Sequence, residues 1–107
     1  MFAKVEIDGK EVELVANAAT PFRFKQVFHK DLLQIVGNEK RAQEEGAEIV
    51  MELAYIMANA AKKADMNKLN EEMFIEWLEG FSPMAFMNAA GDIMDVYMGS
   101  SESTSTP

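Results

Sequence analysis

The chain has 107 residues, no cysteine, and eighteen acidic against ten basic residues, for a formal net charge of −8. That length fits one domain with a single modest core. The charge repels a phosphate backbone and opposes nucleic-acid binding, and the lack of cysteine removes disulfides, thiolate metal sites and cysteine nucleophiles.

Residues 1–6 lack the basic start and apolar run of a signal peptide, so a soluble intracellular protein is expected. Residues 2–16 predict a β-hairpin. Ala3, Val5 and Ile7 alternate with Lys4 and Glu6, and Val12 and Leu14 alternate with Glu11 and Glu13. Asp8-Gly9 between the two runs suits a type I′ turn, whose central positions both need φ > 0. Two strands are not stable alone, so the hairpin must lie on helices or pair with other copies through its open edges.

A first helix is predicted over about 20–36, with Thr20 as N-cap and Pro21 at the first helical position. Phe24, Val27, Phe28, Leu32 and Ile35 form its apolar face, and Gly37-Asn38 stops it. A second helix over about 40–63 has a broad apolar face rich in alanine, which permits close approach by a neighbour. Its acidic run Glu44-Glu45-Ala47-Glu48-Glu52, beside Lys40 and Arg41, reads as a solvated face.

Residues 65–70 are a polar break. Asp65, Asn67 and Glu76 partly match a calcium loop, but Leu69 and Asn70 replace a ligand and the turn glycine, so a linker between helices is expected. Asn70 caps a third helix over 71–79, where Glu71 and Glu72 complement the N-terminal dipole and Met73, Phe74, Trp77 and Leu78 face inward. Ser82-Pro83 caps and opens a last helix over 83–98, and residues 99–107 form a Ser/Thr-rich tail expected to be disordered. The predicted fold is α+β, mainly α: one domain, 1–98, with an N-terminal hairpin and about four helices.

The last helix carries surplus apolar surface. At about 100° per residue, Met84, Met87, Met94 and Met98 form one stripe, Phe86, Ala90, Ile93 and Tyr97 a second, and Ala85, Ala89 and Val96 a third. Asn88, Asp92 and Asp95 fill a wedge of only roughly 60°. The helix is too short for a bilayer, which takes about 20 apolar residues. It must therefore sit unusually deep in the core or meet another molecule. Methionine fills irregular gaps in ordinary cores, and it also forms adaptable docking faces for apolar helices.

No catalytic, cofactor or metal site is expected. His29 is the sole histidine and has no companions for a triad or a metal cluster, so it reads as a surface or edge residue. Phosphate-cradling glycine loops and the hydrolase and metalloprotease signatures are absent.

Several stretches, in order, resemble the tail assembly chaperones of long-tailed phages and prophages of Gram-positive bacteria. They are Val5-Glu6-Ile7-Asp8-Gly9-Lys10-Glu11-Val12, then Ala18-Ala19-Thr20-Pro21 leading to Phe24, Phe28, Lys30, Asp31 and Leu32, then Leu53-Ala54-Tyr55-Ile56-Met57-Ala58, and Glu76-Trp77-Leu78-Glu79-Gly80-Phe81. The pattern departs after Phe28, where a glycine is expected and this chain has His29. The resemblance implies a non-enzymatic protein of the bacterial host cytoplasm, absent from the mature virion. It implies binding and solubilising the tape measure protein and helping to recruit tail tube protein, with a frameshifted longer form of the same chain as a further partner. Met84, Phe86, Met87, Met94, Tyr97 and Met98 are the expected interaction residues, toward a client or toward other copies in a homo-oligomer. Two other readings are a structural tail completion or connector protein and a small acidic regulator of a host protein. No membrane partner is expected.

Overall fold

A computed structural model describes residues 1–99; the expected disordered tail therefore lies, apart from Gly99, outside the described residues. Strands β1 (Phe2–Ile7) and β2 (Lys10–Val15) pair antiparallel, with Ala3 opposite Leu14, Val5 opposite Val12 and Ile7 opposite Lys10. Asp8 (φ 58°) and Gly9 (φ 76°) both take the left-handed backbone that a type I′ turn requires. The pleat sends Val5, Ile7 and Leu14 into the core and leaves Lys4, Glu6, Glu11 and Glu13 outside.

Five α-helices follow: α1 (Thr20–Phe28), α2 (Leu32–Gly37), α3 (Glu39–Ala61), α4 (Glu71–Leu78) and α5 (Ala85–Met98), with a 3-10 turn at Met66–Lys68. The hairpin roofs two of them, β2 lying on α3 and β1 on α5, while α1 and α2 pack against α3. Helix α3 is the central element. Residues 52–58 are buried on every side, with Leu53, Ala54, Ile56 and Met57 fully so.

The expected single helix over 20–36 is two helices. His29 closes α1 in the left-handed region (φ 59°), with its backbone N–H bonded to the Lys25 carbonyl at 2.8 Å. Asp31 restarts the chain by accepting the Gln34 N–H at 3.2 Å, which swings Leu32 and Ile35 into the core. Histidine and aspartate both occur readily in such terminal geometries, and apolar periodicity runs through the break undisturbed. Removing the left-handed penalty by His29→Gly is expected to stabilise the fold by about 0.5–1 kcal/mol. A raised urea midpoint at unchanged m-value is the check, and a lowered midpoint would contradict it.

Two expected caps are also corrected. Thr20 is the first helical residue, buried, and its Oγ accepts the Asn17 N–H at 2.9 Å, so it ties down the approach to α1. Ser82 binds the hairpin turn, and α5 begins two residues later than predicted, at Ala85, with no side-chain cap. The expected cap at Asn70 does form, accepting the Met73 N–H, and Asn38, expected only as part of a helix stop, also caps α3 by accepting the Arg41 N–H.

Helix α4 is held by rings. Phe24, Phe28, Phe74, Tyr55, Trp77, Phe81 and Phe86 form an unbroken chain with successive centroids 5.0–5.3 Å apart. It runs from α1 through α3 and α4 to α5 in tilted and edge-on geometries, the latter favoured by aromatic quadrupoles.

Candidate interaction surface

The fold fixes how α5 is turned. Ala85, Phe86, Ala89, Ile93 and Val96 are buried against β1 and α3. Met84, Met87 and Met98 point outward and are 58%, 53% and 66% exposed. Met94 and Tyr97 lie between, half-buried against the core, and burial pushes the Tyr97 phenol up in pKa. The expected interaction face therefore divides. Met84, Met87 and Met98 are available, Met94 and Tyr97 partly so. Phe86 is a correction: it is a core residue, tilted against Trp77 and edge-on to Phe81, and it does not belong to the outward face. Its stripe and the alanine stripe together make the inward face, since burial takes about half of a helix's circumference.

A latch sets this orientation. The Asp8 carboxylate accepts the Ser82 backbone N–H at 2.9 Å and the Ser82 hydroxyl at 3.0 Å, and these bonds hold its carboxyl below the usual range. Lys10 reaches the Gly80 carbonyl and lies 4.8 Å from the Phe81 ring centroid. The hairpin tip thus grips the α4–α5 connection and fixes where α5 starts.

Gly91 sits in the middle of the outward face. An added Cβ there would meet nothing within 4 Å, so no neighbour within the described residues explains a glycine in the helix interior. Beside the face, Ile35, Val36, Ala42, Gly46, Ile49, Val50 and Met94 line a cavity of about 220 Å³ between α2, α3 and α5. Its lining is almost wholly apolar, and Met94 joins it to the methionine face. Phe22 and Leu33 form a further exposed apolar pair beside Ala18 and Pro21. Sequence periodicity misses the cavity, because its walls come from three elements. Gly46, a glycine inside α3 that lines it, is the available signal.

The acidic run of α3 is not uniformly solvated. Glu45 pairs with Arg41 at 3.0 Å on the surface, but Glu52 is buried. Lys30 Nζ lies 2.9 Å from Glu48 Oε1 and 3.1 Å from both Glu52 oxygens. Burial lifts the Glu52 carboxyl above the usual range, and Lys30 opposes the lift without cancelling it. Burial would lower the Lys30 ammonium, but its two carboxylate partners outweigh that and hold it above its ordinary value.

No group of three or more potential ligand residues stands ready for a metal among the described residues, and no described helix is long and apolar enough to cross a membrane. His29 is exposed. Asp65, the first residue of the apparent calcium loop, accepts the Asn67 N–H, and Asn70, which replaces its turn glycine, accepts the Met73 N–H. The arrangement offers adaptable apolar contact, bordered by carboxylates. No protein-family model, curated protein or solved structure matches the chain.

Proposed function

We propose that this chain is a tail assembly chaperone of a long-tailed phage or prophage. It binds the apolar helices of the tape measure protein through the outward face of α5, keeps that client soluble in the host cytoplasm, and helps bring tail tube protein to it. The observation that carries this reading is the exposure of Met84, Met87 and Met98 on one face of a helix whose other face is fully packed. Thioether side chains are flexible and polarisable, so such a face fits many apolar helices. The left-handed backbone at His29 adds support, because the glycine expected there by resemblance adopts that conformation without strain.

The test is co-expression with the tape measure protein. Met84→Gln/Met87→Gln/Met98→Gln removes apolar contact at three exposed positions without adding charge. The variant is expected to remain folded by circular dichroism while the client moves from the soluble fraction to the pellet. A client that stays soluble would sink the reading. The structural-protein alternative predicts the chain inside purified virions, where mass spectrometry should find none.

A further inference from the structure

We propose that the free edge of β2 takes an extended segment of another protein as a third, antiparallel strand, with basic side chains opposite Glu11 and Glu13 and an apolar side chain between them. The inference stands apart from the chaperone reading, since it rests on the hairpin and on Trp77.

The hairpin register decides which backbone groups are free. A two-residue turn makes its flanking residues, Ile7 and Lys10, a pair that exchanges both backbone hydrogen bonds, and such pairs recur at every second position of an antiparallel ladder. The far end has the same parity. There the Ala16 N–H donates to the Met1 carbonyl at 2.8 Å, and the Met1 amino group donates back to the Ala16 carbonyl. The N–H and C=O groups of Glu11 and Glu13 therefore point away from β1. Among the described residues no other group bonds them. Such a row of donors and acceptors is what an added strand pairs with, and antiparallel pairing is the more stable per residue.

Beneath this edge lies a groove of about 340 Å³. Glu11, Val12 and Glu13 form one side of it, and Ala58, Lys62 and the Trp77 indole form the other. A strand laid along β2 points its side chains to the same face as the residues opposite them. Its residue opposite Val12 therefore enters the groove, where Ala58 and the indole offer apolar contact. The free edge of β1 has no ring beside it; Asp92 and Asp95 border the groove there.

Charge selects the rest of the strand. Residues opposite Glu11 and Glu13 stand on the outer face of the hairpin, where Glu6, Glu11 and Glu13 share a single base, Lys4. Lys4 lies 3.8 Å from Glu11, which leaves Glu13 without an ion pair among the described residues. Lys62, across the groove, pairs with neither glutamate. Opposite charges directly across a ladder stabilise it, and like charges oppose it. A two-fold pairing of two β2 edges over Glu11 and Glu13 sets glutamate against glutamate. The β1 edge of a second copy offers only Lys4, with Glu6 at the next outward position. A basic–apolar–basic strand suits all three positions.

Trp77 is the sole tryptophan and lines the groove, so its emission reports binding to the full chain. Two short synthetic peptides without tryptophan share one β-branched frame, with a lysine–leucine–lysine or a glutamate–leucine–glutamate centre. The lysine peptide is expected to bind at least about tenfold more tightly at low salt. N-methylating its two lysine amides, which face β2, should weaken it at least about tenfold; the same change at the leucine amide, which faces away, should cost less than about threefold. Glu13→Pro removes an outward N–H and no ladder bond, so it should weaken the lysine peptide about tenfold with the far-UV circular dichroism unchanged. If that variant fails to fold, the methylated peptides still decide the matter on the unaltered chain. Equal binding of the lysine and glutamate peptides, or leucine methylation as damaging as lysine methylation, overturns the proposal. So does a self-dimer in sedimentation that Glu13→Pro abolishes and the lysine peptide cannot displace, which would make a second copy the occupant.

Discussion

Trp77→Ala is expected to cost about 3 kcal/mol of folding stability. The indole is half-buried, and its centroid lies 5.2 Å from Tyr55, 5.1 Å from Phe81 and 5.4 Å from Phe86. It is the link through which the aromatic chain passes from α3 and α4 to the start of α5. A domain of this size has a total stability of about 5–15 kcal/mol, so the loss is a large share. Trp77→Phe keeps an aromatic ring at the joint and should cost only about 1 kcal/mol. Urea unfolding followed by far-UV circular dichroism separates the two, since Trp77 is the sole tryptophan and fluorescence disappears with it. If alanine costs no more than phenylalanine, ring contact does not hold α4 in place.

Lys30→Met is the second large effect. Glu52 has a side chain only 6% exposed, and its charge partner within the described residues is the Lys30 ammonium, which Glu48 shares. Removing the ammonium leaves a buried carboxylate unanswered, at a cost of about 2–4 kcal/mol near neutral pH. The pH dependence identifies the cause. The Glu52 carboxyl already sits above the usual range in the folded state, chiefly through burial, and loses its one opposing influence in the variant. A group with a raised folded pKa stabilises the fold fully while protonated, below its unfolded pKa, and that contribution is lost as pH rises through the folded value. The deficit of the variant should therefore be small near about pH 4 and grow toward about pH 8. Lys30→Met/Glu52→Leu should recover most of the loss at neutral pH, as apolar replacement of buried ion pairs generally does. A deficit that is flat with pH, or that the double variant fails to relieve, would place the role of Lys30 in packing alone.

The hairpin, the helical segments other than the first and most of the apolar faces are legible in the sequence because each is written in local terms, although Met73, expected to face inward on α4, is exposed. Asp8-Gly9 between alternating runs has few other solutions, and Asn70 caps the helix that it precedes. The break at His29 is not legible, because Phe24, Val27, Phe28, Leu32 and Ile35 keep helical spacing across it. What ends α1 is a backbone conformation at a residue type with no strong preference, stabilised by contacts that Lys30 makes with α3. Ser82 reads as a cap for a similar reason. Its local context fits one, and its actual partner, Asp8, lies 74 positions away.

By itself, the sequence determined that the chain is mainly helical after an N-terminal hairpin, acidic, without cysteine, and with more apolar surface on its last helix than one buried face can use. Local periodicity, turn chemistry and composition are enough for that. It could not determine which stripe of that helix faces inward. Phe86 and Met87 are neighbours of similar hydrophobicity on adjoining stripes, and only the grip of Asp8 and Lys10 on the α4–α5 connection, with β1 and α3 as the packing surfaces, turns Phe86 in and Met87 out. The same tertiary arrangement brought Val36, Gly46 and Met94 from three helices to one apolar cavity. Such a site depends on separations along the chain that no local pattern encodes.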